Sequence, residues 1–538
     1  MRAALLACVA LCACGPAVLG IDVELVTRQC PSATADRDPV KGVTRLTFKL
    51  TGDGLNAQTI DADYATGTAR IPAIPIGANR RITVDAKDAT GRIRSRADSG
   101  KFDALGPDDV HVRLFLRTVD AFTLTTDASA ICTRMTTPRA GHQLTLLPDG
   151  RVLITGGFSF DGSSPPKLVY HDDAELFDPQ NGSFQGVATA SGARRAGHAA
   201  LPVTYSAGTE VLLAGGEGPA NAAGDGQVVA IKPFELFENQ TWSAVSNQST
   251  LARAHLASGV DLKTGNAVLA GGQAGRDVAG VQVYDTVTYF NPQDSSVHEV
   301  IQHLRFGPLA DAAGVALSNK KNGISYGGLA LVGGRDSQGK VVAQVSGLIW
   351  NETANGGKGD YVDDPAFRSL SLPSPRAHHV AVRMPDDTVL TAGGVTSLTL
   401  GAFDYSNATN EITVVDGVTP SVYNLPEGLS QARADSCAIT LDNGTALIAG
   451  GAWKDGSGQH SAKQVDLVTL PINDTPKVRS PQGPPGSSGD GTLQQSRYRA
   501  ACVKLKDGSI LVSGGLQLPT GTTTPVVLDS AEIYMPPG

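Results

Sequence analysis

The chain has 538 residues, a formal net charge of −8 at pH 7, and only 18% charged and 5% aromatic residues. A net negative chain supplies no basic field, which excludes a general affinity for nucleic acid or for anionic lipid surfaces. The 62 glycines and the low charge are typical of an all-β protein with many turns.

The first 20 residues have the pattern of an export signal. One basic residue precedes an apolar stretch at residues 3–13, which is shorter than the roughly 20 residues that span a bilayer as a helix. The following LCAC resembles a bacterial lipobox, so Cys14 is the predicted lipidation site. Because Gly15 replaces the aspartate that would retain a lipoprotein in the inner membrane, we expect an outer-membrane anchor. The alternative is cleavage after Gly20, which gives a secreted or periplasmic protein.

Residues 21–120 contain alternating apolar and polar segments at 43–52, 80–91 and 109–118, separated by turn signals. About 100 residues of such strands is the size of an immunoglobulin-like β-sandwich. We therefore predict a sandwich domain at 21–120 that acts as a spacer, with a binding module as the alternative role. No other part of the chain is apolar enough to cross a membrane, so the lipid is the only predicted membrane contact.

Two cysteines, Cys30 and Cys132, flank this segment. If they pair, the disulfide would pin the segment to the next domain and close a loop of about 100 residues, worth up to about 4.7 kcal/mol on the chain-entropy model. Disulfides are permitted outside the cytoplasm. Cys437 and Cys502 instead fall in apolar runs, where cysteine usually acts as a small buried residue.

Residues 121–538 contain a repeated hairpin. The first copy, residues 139–157, reads RAGHQLTLLPDGRVLITGG: two β-prone runs, a Pro-Asp-Gly turn between them and a glycine pair at the end. Successive pairs are 59, 56, 62, 60, 57 and 64 residues apart, and they begin at Gly156, Gly215, Gly271, Gly333, Gly393, Gly450 and Gly514. An arginine lies 17 to 20 residues before six of the pairs, namely Arg139, Arg195, Arg253, Arg376, Arg433 and Arg497. In the fourth copy the candidate, Arg305, lies 28 residues ahead.

Further short segments complete the repeats, such as AELFDP at 174–179 and GSFQGV at 182–187. Four such strands form a small antiparallel sheet that cannot bury both faces alone, so the sheets must stack, and a closed ring protects their edges. The last copy lacks a fourth strand. We predict that residues 121–127, AFTLTTD, supply it and close the ring.

The order of arginine, first strand, second strand with Gly-Gly, and aromatic before the last strand resembles the kelch repeat, over roughly residues 121–538. The resemblance implies a seven-bladed β-propeller within the galactose oxidase and kelch-like superfamily, with six blades as the alternative. The predicted fold is therefore all-β, with this propeller preceded by the immunoglobulin-like sandwich.

Propeller ligands usually bind at one mouth of the central channel, and the residues before each first strand converge there. In the kelch domains of animal ubiquitin-ligase adaptors, arginines in this position contact acidic peptides. The resemblance therefore implies a ligand-binding role, by bidentate contact with carboxylate or phosphate groups, for Arg139, Arg195, Arg253, Arg376, Arg433 and Arg497. The alternative is that these arginines satisfy backbone carbonyls between blades.

Five of the ten histidines follow the Arg-Ala pairs: His142, His198, His255, His378 and His379. If they converge at the mouth, their imidazoles suit a transition metal. The alternative, which we favour, is a packing and hydrogen-bonding role that repeats because the fold repeats.

The repeats also resemble galactose oxidase, a secreted propeller whose copper ligands occupy these positions: a tyrosine in RxY, a Tyr-His pair in RxYH, and a cysteine crosslinked to the first tyrosine. Here the tyrosine position is held by Gly141, Gly197, His255, His378 or Asp435, and Tyr498 is shifted by one residue. Copper-radical chemistry therefore lacks its residues, and we predict no cofactor.

The chain also lacks the GxSxG, HExxH and GxxxxGK[ST] motifs of common enzyme classes. We predict an envelope-anchored, non-enzymatic binding or scaffolding protein that recognises a protein, peptide or glycan through the propeller. The alternative is a metal-dependent or carbohydrate-active enzyme whose site is built from the five histidines.

Overall fold

The computed structural model describes residues 18–19, 21–30, 37–64, 74–105, 110–164, 166–188, 191–205, 208–221, 227–249, 251–275, 280–318, 320–321, 324–325, 327–399, 404–471, 475–485 and 490–537. The predicted signal and lipobox, with Cys14, lie outside the described residues. The described part is nearly all-β; its helical segments are the short α-helix Ala354–Gly357 and the 3-10 turn Pro365–Phe367. None of its helices has both the length and the apolar character needed to cross a bilayer.

The N-terminal unit is built on a six-stranded antiparallel sheet. Its strands, in spatial order, are Arg117–Thr118, Ile93–Asp98, Gly77–Asp88, Val43–Gly52 and Leu55–Asp63, with Phe102–Ala104 also paired to Gly77–Asp88. Ile21–Val26 pairs in parallel with Val110–Phe115, and Val18–Leu19 pairs with Ile74–Pro75. Phe48, Val84 and Leu114 lie in the core between the six-stranded sheet and the parallel pair. An immunoglobulin-like topology for this unit stays a prediction.

The repeats form four-stranded antiparallel sheets, of which the described residues contain seven, called sheets 1 to 7. Their strands in spatial order are as follows: sheet 1, Gln143–Leu146, Val152–Thr155, Ala174–Asp178, Ser183–Gly186; sheet 2, Ala199–Tyr205, Gly208–Ala214, Glu235–Glu238, Thr241–Ala244; sheet 3, Ala257–Val260, Ala267–Ala270, Val287–Asn291, Ser296–Glu299; sheet 4, Ala313–Ala316, Leu329–Val332, Val345–Asn351, Asp360–Asp363; sheet 5, Val380–Arg383, Val389–Ala392, Ile412–Asp416, Ser421–Asn424; sheet 6, Cys437–Thr440, Ala446–Ala449, Val465–Thr469, Lys477–Arg479; sheet 7, Ala501–Lys504, Ile510–Ser513, Ala531–Met535, Ala121–Leu124.

Two-stranded hairpins extend the loops of several sheets. They are Phe158–Phe160 with Leu168–Tyr170, Glu217–Pro219 with Val228–Ala230, Lys320–Lys321 with Ile324–Ser325, Ala452–Asp455 with Gly458–Ser461, and Leu516–Gln517 with Val526–Val527. The Lys320–Lys321 hairpin is the polar insertion that lengthens the fourth repeat. The remaining hairpins follow glycine pairs.

Sheets 1 to 7 follow one another around a ring, and a separate apolar core fills each space between neighbours. Between sheets 7 and 1, Leu511 and Ile533 pack with Val152 and Ile154. The predicted closing strand, Ala121–Leu124, is the outer strand of sheet 7 and pairs antiparallel with Ala531–Met535. Both ends of the repeat region therefore meet in one sheet.

The glycine pairs form the joints between sheets. In each pair the first glycine has φ between 57° and 66° and the second between 87° and 117°, a region that favours glycine. The second glycine donates its N–H, at 2.8 to 2.9 Å, to a carbonyl oxygen of the next sheet. These acceptor residues are Arg195, Arg253, Leu309, Arg376, Arg433, Arg497 and, where sheet 7 meets sheet 1, Arg139. A Cβ on the first glycine would overlap the same oxygen, so both the backbone conformation and the space require glycine.

Substituting the first glycine of a joint should therefore lower the free energy of unfolding by more than the strain of its backbone conformation alone would do. In Gly393→Ala the new Cβ would meet the Arg433 carbonyl oxygen, whereas at Gly162, which has a similar positive φ, a Cβ would meet nothing within 4 Å. We expect urea unfolding to show a loss of about 1 kcal/mol for Gly162→Ala and roughly 2 kcal/mol more for Gly393→Ala. Equal losses in the two variants would contradict the joint.

Candidate functional site

The residue two positions before the first strand of each sheet has a left-handed backbone, with φ between 53° and 64°. Gly141, Gly197, His255, Asp311, His378, Asp435 and Arg499 occupy this position in sheets 1 to 7, and we call them the axial ring. Several neighbouring members are joined by backbone hydrogen bonds of 2.9 to 3.1 Å from N–H to carbonyl: Gly197 to Gly141, Asp311 to His255, Asp435 to His378, Arg499 to Asp435, and Gly141 to Arg499. The last of these joins sheet 1 to sheet 7, so the seven positions meet around one axis.

The non-glycine members of the axial ring are all charged or titratable. A left-handed conformation is uncommon in such residues and often marks a functional site. It is held here because the preceding residue, an alanine in six sheets and Tyr498 in sheet 7, pairs with the residue that follows the glycine pair, as Ala377 does with Val395. The repeat therefore fixes the backbone of each member and leaves its side chain free to vary.

His255 and Asp311 form the first charged pair of the ring. The His255 Nδ1 lies 2.7 Å from Asp311 Oδ1, and Asp311 Oδ2 accepts a hydrogen bond from Arg335 Nε at 2.6 Å. Burial disfavours the charged imidazole, but Asp311 and Glu217 outweigh burial and raise the pKa of His255 to about 10. Burial is likewise outweighed at Asp311, where His255, His378 and Arg335 hold the carboxyl pKa far below its usual range. Both side chains are therefore ionised at neutral pH.

His378 and Asp435 form the second pair. The His378 Nδ1 lies 3.1 Å from Asp435 Oδ1, while Asp435 Oδ2 accepts hydrogen bonds from Tyr405 Oη at 2.6 Å and Arg499 Nε at 2.8 Å. Burial works against the charge of His378, but Asp435 and Asp311 raise its pKa above the ordinary value. Burial also works against the charge of Asp435, but Arg499 and His378 lower its pKa. The second pair therefore repeats the chemistry of the first.

Six of the seven axial-ring residues, all but Asp435, line a cavity of about 280 Å³. The His255 Nε2 has no hydrogen-bond partner, and Glu217 Oε2, at 3.7 Å, is too far away to accept one. No described residue forms a hydrogen bond with the His378 Nε2 either. On one side of the cavity a Cβ on Gly197 would meet nothing within 4 Å, whereas a Cβ on Gly141 would contact the ring of Phe158 at 3.4 Å. The cavity thus combines imidazolium donors with room for a ligand.

The six repeat arginines lie elsewhere. Each is at most 2% exposed and bonds within its own sheet. Arg139 donates to the Gly156 carbonyl and to Glu175 Oε1, both at 2.8 Å. The other five make similar contacts: Arg195 with Glu235, Arg253 with Thr288, Arg376 with Glu411, Arg433 with Asp466, and Arg497 with Glu532. The structure gives these arginines a structural role, and their contact with a ligand stays a prediction.

The fourth repeat differs from its sequence interpretation. The Gly272 N–H donates the hydrogen bond of its joint to the Leu309 carbonyl oxygen, so Leu309 takes the place of the arginine. Arg305, the sequence candidate, has a side chain that is 40% exposed and lies 4.0 Å from Asp363. A charged residue does reach this part of the sheet, because Arg335 follows the glycine pair and binds Asp311.

The five histidines are divided between two places. His142, His198 and His379 lie buried between sheets; His142 Nε2 is 2.9 Å from Ser513 Oγ, and His198 Nε2 is 2.9 Å from Thr155 Oγ1. Burial and the neighbouring arginines lower the pKa of His142 and of His379 to about 3, so both are neutral. Only His255 and His378 reach the axial ring. In the described ranges, no three His, Cys, Asp or Glu side chains are grouped to hold a metal ion.

Sequence reasoning missed the carboxylates and the remaining cations of the ring. Asp435 was placed at the repeat position of His255 and His378 but was given no role, and Arg499 occupies the same position, two residues after Arg497. Asp311 was hidden because its repeat lacks the arginine. Cys30 and Cys132, by contrast, are joined by a disulfide with a Cα–Cα distance of 4.9 Å.

Neither a protein-family model nor a curated protein matches this sequence. Among solved structures, YjhT has a TM-score of 0.44 and 15% identity, covering 64% of this chain and 99% of YjhT. A fungal alcohol oxidase of the AA5 family, in complex with copper, has a TM-score of 0.50 and 11% identity, covering 75% of each chain. The likeness to the oxidase extends to the fold alone, and it supports a β-propeller.

The axial ring does not fit the copper of that oxidase. Copper favours imidazole nitrogens that converge on one point. Here the Nδ1 atoms of His255 and His378 are each held by a different aspartate, and Tyr405 Oη donates to Asp435. The Nε2 atoms of His255 and His378 are the imidazole nitrogens left over, and within the described residues no three His, Cys, Asp or Glu side chains are grouped to hold a metal ion.

The structural role of the repeat arginines can be tested at Arg433, whose Nη2 lies 2.7 Å from Asp466 Oδ2 with both side chains buried. Arg433→Met leaves a buried carboxylate unpaired, so we expect a loss of about 3 to 5 kcal/mol in the free energy of unfolding, measured in urea. The exposed Arg305→Met should change it by less than about 0.5 kcal/mol. A similar, small effect in both variants would remove the structural role.

Proposed function

We propose that this chain is an exported, non-enzymatic binding protein, and that its axial ring binds a ligand carrying an oxyanion such as a carboxylate. The observation that carries the proposal is the pair of histidines His255 and His378, each fixed at Nδ1 by an aspartate of the next sheet and, within the described residues, without a hydrogen bond at Nε2; Glu217 lies 3.7 Å from the His255 Nε2. N–H donors on charged groups form the stronger class of hydrogen bond to oxyanions. A protein, peptide or glycan that bears a carboxylate would satisfy them.

We interpret sheets 1 to 7 as seven blades of a closed propeller. The glycine joints and the apolar cores between neighbouring sheets support this interpretation, since both continue from sheet 7 to sheet 1. The N-terminal unit, proposed as an immunoglobulin-like spacer, contacts the opposite face: Arg113 Nη1 donates to Asn181 Oδ1 at 2.6 Å, at the hairpin end of sheet 1. This arrangement keeps the axial ring open.

Binding is favoured over acid–base catalysis by the pKa values of the ring. A general acid or base works best when its pKa lies near the operating pH. The pKa of His255 is raised to about 10, that of His378 is also raised, and those of Asp311 and Asp435 are lowered. His255, Asp311 and Asp435 therefore hold fixed charges at neutral pH, and the raised pKa of His378 favours its charged form.

We further propose that the protein is anchored through Cys14 to the outer membrane, with a secreted or periplasmic form as the alternative. The Cys30–Cys132 disulfide supports an oxidising compartment. A metal-dependent or carbohydrate-active enzyme remains the competing function. Metal analysis of the purified protein before and after chelation separates the two, because the enzyme hypothesis requires a stoichiometric transition metal and the binding hypothesis does not.

A side chain placed at Gly197 can fill the cavity with no more backbone strain than the non-glycine residues of the axial ring already have. In Gly197→Asn the new side chain would take the φ of 59° that non-glycine members of the ring already adopt, and it would occupy the space beside Phe158. We expect the protein to stay folded and its affinity for carboxylates to fall at least tenfold. The test is calorimetric titration with acetate, succinate and glucuronate, and with neutral glucose.

Gly356→Asn is the matched control, because Gly356 has a φ of 67° and open space but lies in the helical turn of sheet 4. It should bind as the wild type does. If none of the three carboxylates binds the wild type, or if Gly197→Asn binds them unchanged, the axial ring is not the carboxylate site.

Carboxylate binding should depend on pH through the raised pKa of His255. Its imidazolium persists up to a pKa of about 10, so its contribution to binding is complete at neutral pH and is lost as the pH rises through about 10. An ordinary histidine would lose it near pH 6.5. We expect constant affinity between pH 7 and about 9, as tested by titration of glucuronate, and weaker binding at every pH in His255→Asn. Loss of affinity between pH 6 and 8 in the wild type would contradict a fixed imidazolium.

A further inference from the structure

A cleft of about 460 Å³ lies on the face opposite the axial ring. Its walls come from three places: the N-terminal unit, with Arg117 and Phe115; the strand-connecting turns of sheet 1, with Asp149; and those of sheet 7, with Asp507. The cleft therefore lies where the N-terminal unit meets the propeller, and it shares no residue with the axial ring.

Arg117 is the unusual residue of this cleft. It is only 3% exposed, yet its Nη1 has no hydrogen-bond partner, and within the described residues its guanidinium forms neither a hydrogen bond nor an ion pair. The ring of Phe115 lies 5.4 Å from the guanidinium carbon. Burial lowers the pKa of Arg117 to about 10, which still leaves it charged at neutral pH.

The other buried arginines in the described ranges do not share this property. Each donates at least one hydrogen bond to a carbonyl, carboxylate or hydroxyl oxygen. Arg37, for example, binds the carbonyl oxygens of Phe122 and Asp490 at 2.6 Å, and Arg80 binds those of Asp53 and Ile76 at 2.8 Å. A buried donor without an acceptor costs free energy and is rare. The guanidinium of Arg117, which donates no hydrogen bond within the described residues, therefore indicates an acceptor from outside the chain.

The acidic residues of the cleft do not supply this acceptor: within the described residues none of them forms a hydrogen bond or an ion pair with Arg117, and each has another partner nearby. Asp98 pairs with Arg81 at 2.7 Å, and Asp149 pairs with Arg151 at 2.6 Å. Asp507 is the carboxylate that acts on the charge of Arg117, but its Oδ1 accepts from Ser509 N and Oγ at 2.9 and 2.6 Å. Asp103 accepts from Asn79 N at 2.9 Å, and Asp178 accepts from Gln180 N at 2.8 Å.

We propose that this cleft binds a small oxyanion, through a carboxylate or phosphate group, on the guanidinium of Arg117. Such groups match the planar donors of arginine. The bound anion would touch the N-terminal unit and lie between the turns of sheets 1 and 7, so its binding would stabilise the attachment of that unit to the propeller. This site is independent of the proposed function of the axial ring.

The test is thermal unfolding of the full chain with sodium phosphate or sodium acetate, each compared with sodium chloride at equal ionic strength. A ligand that binds only the folded state raises the unfolding midpoint. We expect phosphate or acetate to raise the midpoint of the wild type, and the difference between the two identifies the group. In Arg117→Met the dissociation constant taken from these shifts should increase at least tenfold.

Arg94→Met is the matched control, because Arg94 Nη1 also joins the N-terminal unit to the propeller, through the Pro485 carbonyl at 2.8 Å, but does not line the cleft. It should lower the midpoint while leaving the response to the anion intact. If Arg117→Met does not fold, Arg117→Lys keeps the charge and should bind the anion more weakly. An unchanged response in either Arg117 variant, or no response of the wild type to phosphate and acetate, overturns the proposal.

Discussion

The structure depends on one repeated contact, the hydrogen bond from the second glycine of each pair to a backbone carbonyl of the next sheet. A small antiparallel sheet has two apolar faces and is not stable alone, so its position beside a neighbour decides whether it folds. The joint brings the ends of two sheets together at a separation that excludes a side chain. Because the contact also links sheet 7 to sheet 1, it sets the circumference of the ring.

The joint also explains the arginines. The carbonyl that accepts the joint usually belongs to an arginine whose side chain returns to its own sheet and binds an acidic or hydroxyl group on the third strand, as Arg497 binds Glu532. Backbone and side chain of one residue therefore fasten two different sheets. Leu309 shows that the backbone contact is retained where the side chain is not.

The sequence predicted much of the fold because the repeat spacing, the glycine pairs and the closing strand are local patterns with a clear physical cause. It predicted the site less well. Arg139 and its equivalents were placed at the mouth by position, whereas their guanidinium groups turn inward, since buried carboxylates such as Glu175 attract them. The polar character of the ring depends instead on pairs such as His255 with Asp311, which come from different repeats and become neighbours only when the ring closes.

Sheet 7 takes its outer strand, Ala121–Leu124, from the beginning of the repeat region and its other strands from the end. During synthesis the ribosome must therefore release Ala531–Met535 before this sheet can form. Until then the nascent chain carries an unpaired strand edge for several hundred residues, and exposed edges invite pairing with other chains. The arrangement that seals the finished ring thus leaves the newly made polypeptide open to pairing with other chains until Ala531–Met535 is in place.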